Sequence, residues 1–290
     1  MGFFSNLKAQ KAYALQSKGH SEEAMALYEQ AFADGMDSPR HMLAYSVLLV
    51  RNGKYTQAQT VLRKAEKLPG LTAEQKSQLI MNYAACDYKM GHIDKGIRLM
   101  EKQHMHHPSG LIYETLGYLY VEKYDHEKTP DFDAMDRENL KNAQEAWEKA
   151  DAEARSTAEI THNEYVPVPF EAPESSKDTW LQGKEKAAQF LQEALDYDDE
   201  DPICLDNMGQ FLYRVMDDRE GAKPFFDKAI AEKDTQIDTL YFLSRYDLAQ
   251  GDSKAAMEKL EKALEGRFSP LNYATKEMVT NELSALRGQA

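Results

Sequence analysis

Apolar residues along this chain recur three and four positions apart, which places them on one face of a helix. The periodic runs come in pairs separated by short turns. Residues 8–18 and 22–34 form the first pair, around Gly19-His20-Ser21. Residues 40–51 and 55–68 follow around Asn52-Gly53-Lys54, then 72–90 and 93–106 around Gly91-His92. Ser21 is a good N-cap, with Glu22 and Glu23 favourable in the first turn, and Pro39 suits the start of the next helix. The second run of each pair carries small residues on its apolar face, as in Ala24-Tyr28-Ala31 and Ala58-Leu62-Ala65. In the stretch LIYETLGYLY, residues 111–120, Leu116, Gly117 and Tyr120 share one face, and the missing Cβ of Gly117 leaves room for a crossing helix. Residues 202–214 with 220–232, and 238–250 with 253–264, repeat the arrangement, and 272–286 reads as a closing helix with Met278, Leu283 and Leu286.

The phase breaks after Tyr124. Two runs compete as partner of 111–124: residues 139–154, with Ala143, Trp147 and Ala150, and residues 184–196, with Ala187, Leu191 and Ala194. The second is preferred because it leads through the acidic run 198–201 directly into Pro202. Arrays of stacked helix pairs rarely leave one helix unpaired. This divides the chain into an N-terminal array, 1–124, an acidic insertion, 125–178, and a C-terminal array, 179–290. The insertion holds one helix near 137–155 and then Tyr165-Val166-Pro167-Val168-Pro169-Phe170, whose alternating prolines favour polyproline II geometry. Two readings stand for the insertion: the strand occupies the molecule's own groove, against Arg51, Lys89 and Arg98, or it belongs to a mobile acidic loop that aids solubility.

The turn glycines Gly19, Gly53 and Gly91 stand 34 and 38 residues apart, and helix pairs at about 34 residues per repeat mark the tetratricopeptide repeat. The chain resembles that family in residues as well as in spacing. Leu116-Gly117-Tyr120 matches the first helix of the motif, Gly53-Tyr55-Ala58 the turn, and Ala24-Tyr28-Ala31 and Ala222-Phe226-Ala229 the second helix. Departures are Lys11 where Leu is usual, and Asp87 and Asp247 where Tyr is usual. The resemblance covers about four-fifths of the chain and implies an all-α, right-handed solenoid of about six helix pairs with a closing C-terminal helix.

It also implies a concave face lined by the first helices. The matching groove positions are Leu43, Val47 and Arg51, then Met81, Asn82, Ala85 and Lys89. Glu114, Tyr118 and Glu122 follow, then Asn207, Gln210 and Arg214, then Tyr241 and Arg245. Asn82 and Asn207 fall where related proteins hold a peptide backbone, a task that suits an amide because it donates and accepts. The Lys and Asn with which some members clamp a terminal carboxylate are here Ala9 and Tyr13, so that clamp is absent.

The formal net charge is −14, distributed as +3 over 1–124, −9 over 125–178 and −8 over 179–290. No basic stripe with interleaved aromatics appears, so nucleic acid is not an expected partner. No apolar run approaches a membrane span, and nothing near the start reads as a signal peptide or myristoylation pattern. Phe3 and Phe4 are expected to cover the open end of the first helix pair. Cys86 and Cys204 suggest no disulfide framework and a reducing compartment, hence a cytoplasmic protein.

His104-Met105-His106-His107 is the one dense set of candidate metal ligands, but neighbours on a helix point apart and no carboxylate or Cys is spaced to join them. No phosphate loop or nucleophile elbow is present. The sequence therefore describes a non-enzymatic scaffold without cofactor or metal, which binds a protein or peptide partner on its concave face. The alternative is a peptide- or ligand-sensing regulator; a metal-binding protein using the histidines comes third.

Overall fold

The computed structural model describes residues 2–288, with side chains from residue 4, as an all-α chain with no strand among the described residues. The helices are α1 (Gly2–Ser17), α2 (Ser21–Ala33), α3 (Pro39–Arg51), α4 (Tyr55–Glu66), α5 (Ala73–Lys89), α6 (Ile93–His106) and α7 (Gly110–Tyr124). After a short 3-10 turn come α8 (Phe132–Thr161), α9 (Ser176–Tyr197), α10 (Pro202–Gln210), α11 (Arg219–Glu232), α12 (Ile237–Ala249), α13 (Ser253–Glu265) and α14 (Lys276–Arg287). Consecutive helices pack as hairpins, α1 with α2, α3 with α4, α5 with α6, α10 with α11 and α12 with α13. The partner of α7 is α9, while α8 packs only beside α9. First helices stack on one another along the array, α1 on α3, α3 on α5, α5 on α7 and α7 on α10. The result is a solenoid.

The turns follow from backbone chemistry. Gly53 has φ +71°, which an L side chain rarely adopts, and the carbonyls of Leu49 and Val50 accept from the amides of Lys54 and Gly53 to close the helix. In the fifth hairpin Asp217 takes this conformation, at φ +53°. From Pro202 to Asp217 is 15 positions, one more than the 14 from Pro39 to Gly53. The extra residue is taken up where α10 widens into a π-helical turn, Phe211–Val215, with the Met216 amide bonded to the Phe211 carbonyl.

Helix α7 sits at the middle of the array and is buried on nearly every side. A Cβ on Gly117 would come within 2.9 Å of Asn207 Nδ2 and 3.0 Å of Leu191 Cδ2. Gly117 thus marks where α7 is crossed by both α9 and α10. Its neighbours Ile112, Leu116 and Leu119 share one apolar core with Leu191, Leu205 and Phe211. A second core lies under α1 to α5, and a third joins α11 to α14, where Phe226 stacks on Phe242. At the positions where the motif's Tyr is replaced, Asp87 accepts from Gln59 and Asp247 pairs with Lys259 at 2.5 Å, so polar links stand in for ring packing.

Three expectations need correction. Ser21 is the first residue of α2 and not its cap; His20 precedes it. The closing helix starts at Lys276, not near 272, because residues 269–274 form a turn and bend whose amides at Tyr273 and Ala274 bond Asp238. Phe4 is 75 % exposed, and the side chain of Phe3 lies outside the described residues. The Pro-containing strand does not enter the groove. It folds back along α8, where Trp147 Nε1 donates to the Val168 carbonyl at 2.7 Å and Asp151 accepts from the Val168 amide and the Tyr165 hydroxyl.

Candidate functional site

What lies in the groove is the segment joining α13 to α14, residues 266–275. Asp238, at the start of α12, holds it by three hydrogen bonds. One carboxylate oxygen accepts from the amide of Ala274 at 2.9 Å, the other from the amide of Tyr273 at 3.0 Å and from Asn272 Nδ2 at 3.1 Å. Tyr118 of α7 donates to the Asn272 carbonyl at 3.3 Å. The guanidinium of Arg214 lies over the Tyr273 ring, 3.8 Å from its centre. Leu271 packs against both the first and the second core. The segment is a plug, and it divides the concave face into two cavities.

The smaller cavity, about 120 Å³, is lined by Val47, Arg51, Met81, Asn82, Ala85 and, from the plug, Leu271. The larger, about 430 Å³, lies between α7, α10, α12 and the plug. Its polar walls are Glu114, Asp206, Asn207, Gln236 and Asp238, and Lys233 and Arg267 stand at its edge. A cavity of this size matches a small ligand or one large side chain. Burial and the neighbouring Asp201 push the Glu114 carboxyl up to about 7, against a smaller opposite pull from Lys233. Asp206 is also raised to about 7, by burial and by Asp238, although Thr239 and Gln210 donate to it.

Of the residues expected to line the groove, Val47, Arg51, Met81, Asn82 and Ala85 border the small cavity, and Met81, Glu114, Tyr118 and Asn207 the large one. Leu43 is buried in the second core. The amide nitrogens of the two asparagines are engaged within the array: Asn82 donates to Ser46 Oγ at 3.1 Å, and Asn207 to the Glu114 carbonyl at 2.8 Å. Lys89 lies over the Tyr88 ring. Glu122, Gln210 and Arg214 form a buried chain of charge-assisted bonds that ends on Asp206. Tyr241 bonds Arg245, which pairs with Glu282 at 2.5 Å. The last six therefore spend their polar groups holding the array together.

Sequence reasoning missed Asp206, Gln236 and Asp238, and missed the plug. The signal for the plug was Ser269-Pro270, which argues against a helix there, but nothing local says where the segment docks. His104 stands edge-on to Tyr113 and Phe190, away from His106 and His107, which are exposed. Among the described residues no group of three or more His, Cys, Asp or Glu is placed to hold a metal ion. No described helix is long and apolar enough to cross a membrane.

The family model described as anaphase-promoting complex, cyclosome, subunit 3 matches residues 17–103. No curated protein matches in sequence. Among solved structures, the chain is similar to a thermophilic tetratricopeptide-repeat protein of Thermus thermophilus, at 16 % identity and TM-score 0.54, covering 86 % of this chain and 99 % of that one. It is similar to PilW, a type IV pilus biogenesis factor, at 14 % identity and TM-score 0.54, covering 97 % and 100 %. It is also similar to a monomeric IFIT1 mutant with Gppp-AAAA, at 14 % identity and TM-score 0.56, covering 97 % of this chain and 54 % of that one. At such identities the likeness speaks for the fold alone. With the paired helices, the turn glycines and the close crossing at Gly117, it gives the chain a tetratricopeptide-repeat fold.

Proposed function

We propose that this chain is a non-enzymatic scaffold that holds an extended segment of a partner protein on the part of its concave face left open by the plug. The observation that carries this reading is the pair of cavities flanking Leu271, whose walls combine apolar side chains with polar groups such as Asn82, Glu114 and Asn207. A groove already ordered by its own helices binds without first having to be ordered, which lowers the cost of association. The plug itself is held through the backbone amides of Tyr273 and Ala274 and the carbonyl of Asn272, so the face has donors and acceptors for the backbone of a bound segment. Two buried, unpaired cysteines support residence in a reducing compartment, and we place the protein in the cytoplasm.

The test compares two variants of the full chain. Val47→Glu puts a charge in the small cavity, and Lys102→Glu alters an exposed position on α6. Partners that cross-link to the wild type are identified by mass spectrometry with the cross-linked positions. The reading expects Val47→Glu to lose the partner cross-linked beside Val47 and Met81, with helical signal unchanged, and Lys102→Glu to keep it. Cross-links confined to second helices, or capture unaffected by Val47→Glu, would remove the concave-face reading.

A further inference from the structure

Two polar side chains in the walls of the larger cavity, Gln236 and Glu114, have no hydrogen-bond partner among the described residues. Gln236 caps the start of α12 in position only; its side chain makes no cap bond and has no other partner, although only 9 % of the residue is exposed. The Glu114 carboxylate accepts no hydrogen bond, and among the described residues no cation forms an ion pair with it. Neither group is sealed from water, so the acceptor oxygens of both are free to pair with a ligand that enters the cavity. The other two carboxylates in the walls differ. Asp206 is bonded by Thr239 and Gln210, and Asp238 by the plug.

Apolar walls are supplied by Met81 of α5, Leu111 of α7, Ile203 of α10, Ile237 of α12 and Leu271 of the plug, beside the hydroxyls of Thr115, Thr235 and Ser269. This combination selects a long aliphatic stem that ends in hydrogen-bond donors and carries positive charge. We propose that the cavity binds an ammonium or guanidinium group on an aliphatic stem, with Glu114 as its anionic partner and the Gln236 carbonyl as a second acceptor. The group can be supplied by a Lys or Arg side chain of a partner protein or by a free amine. Lys233 and Arg267 are exposed at the edge and do not occupy the interior. This site does not depend on an extended segment docking elsewhere on the face.

The same geometry gives the interaction a pH dependence of known sign. The charged or titratable groups around Glu114 are Asp201, Cys204 and Asp206 of the α10 end, Lys233 after α11, Asp238 of α12 and Arg267 of the plug. With the Glu114 carboxyl at about 7, its ionised fraction climbs from about a tenth near pH 6 to about nine tenths near pH 8. Affinity for a cation should therefore rise about tenfold over that interval.

The experiment is titration calorimetry on the full chain with three probes. They are n-butylguanidinium, the blocked pentapeptide Gly-Gly-Arg-Gly-Gly, and the same peptide with norleucine for Arg. The expected result is saturable binding of both cations near pH 8, about tenfold weaker near pH 6, with the norleucine peptide at least about tenfold weaker than the Arg peptide. Glu114→Gln should weaken the cations about tenfold or more, leave the norleucine peptide unchanged and abolish the pH dependence. Leu111→Trp, which fills the cavity while leaving Glu114 in place, should block all three probes. A pentapeptide that binds more tightly than butylguanidinium identifies a partner protein as the source, and equal affinities identify a small amine. Equal binding of the Arg and norleucine peptides, full retention of cation binding by Glu114→Gln or Leu111→Trp, or no saturation up to about 10 mM of either cation would overturn the proposal.

Discussion

Arg214 Nη2 lies 2.7 Å from Glu122 Oε1 and 2.6 Å from Asp125 Oδ2, and all three side chains are buried. Glu122 belongs to α7, Asp125 is the first residue after it, and Arg214 sits in the π-helical turn after α10. The cluster therefore ties the two hairpins on either side of the insertion to each other. Lys128 and Tyr88 also donate to Glu122, at 2.7 Å and 2.5 Å, and Arg214 continues to Gln210 at 2.8 Å. Buried charges are tolerated only when paired this fully. Removing the guanidinium leaves two carboxylates facing each other without their main cation. Arg214→Met should cost about 3–5 kcal/mol, read as a lowered urea midpoint with an unchanged slope. A loss under about 1 kcal/mol would mean that water replaces the guanidinium at little cost.

The carboxyl groups set the pH range of stability. Burial alone would raise the Glu122 carboxyl, but Arg214 and then Lys128 outweigh it and hold it at about 2. An unfolded Glu titrates near ~4.3, so this contribution is complete above that value and lost as pH falls toward 2. Glu114 and Asp206 behave in the opposite way. Their carboxyls stand at about 7 in the fold, so the folded state keeps protons that the unfolded chain releases. Their contribution is full below about pH 4 and is lost as pH rises through 7. Stability should peak near about pH 4 and decline toward neutral pH. Denaturation across pH checks this. Glu114→Gln should flatten the alkaline limb by about 1–2 kcal/mol, a figure reduced for the partial exposure of the group.

Gly117 is the position where α7 has least room. Asn207 Nδ2, which a Cβ there would meet at 2.9 Å, is fixed by its bond to the Glu114 carbonyl, whereas Leu191 Cδ2 at 3.0 Å can rotate away. Gly117→Ala should therefore cost about 1 kcal/mol by displacing the amide, and Gly117→Leu about 3 kcal/mol or more by separating the helices. Thermal unfolding followed by circular dichroism distinguishes the two. A Gly117→Leu protein as stable as the wild type would show that the crossing can open without cost.

Helix pairing and the crossing at Gly117 were legible because they are local. Period, turn glycines and small residues state them within a few positions of each other. The groove was less legible. Glu122 and Arg214 stand at groove positions of the motif, yet they face each other across 92 residues, and no spacing rule reports that. Asp238 reads as an ordinary first-turn acid until residues 272–274 bring their amides to it. Asp201, at the end of the acidic run before Pro202, caps α10 by accepting from the amides of Ile203 and Cys204, a role that its position beside the proline makes local.

The insertion should be removable, within limits that its contacts define. Asp125, His126 and Lys128 belong to the Arg214 junction, and Ser175 caps α9 through the Asp178 amide. Deleting 125–178 would therefore damage both neighbours. Deleting 130–174 and joining the ends with a short Gly-Ser linker removes α8 and its Pro-containing strand, together with the Phe132–Trp180 contact and the bonds from Asp136 and Asn139 to Ser176. The shortened chain should fold with α9 still on α7, at a cost of about 1–3 kcal/mol. Failure to fold, with the linker long enough to span the gap, would show that α8 is part of the array.

The plug gives a prediction about motion. Asp238 accepts from two backbone amides and the Asn272 side chain using both carboxylate oxygens. Asn in its place offers one acceptor oxygen and would present an NH2 to at least one of those donors. Asp238→Asn should therefore release residues 269–274, and the Tyr118 bond to the Asn272 carbonyl should go with them. Asp206 would lose its like-charged neighbour, so its carboxyl should titrate lower than in the wild type. Hydrogen exchange is the measurement. The amides of Tyr273 and Ala274 should exchange about tenfold faster or more, since losing about 1.4 kcal/mol of local protection has that effect. The amides of α12 itself should change little, because its helical bonds do not involve the Asp238 side chain. Faster exchange across all of α12 and α13 would instead mean that Asp238 supports the last hairpin as a whole, and that the plug is a fixed wall of the groove.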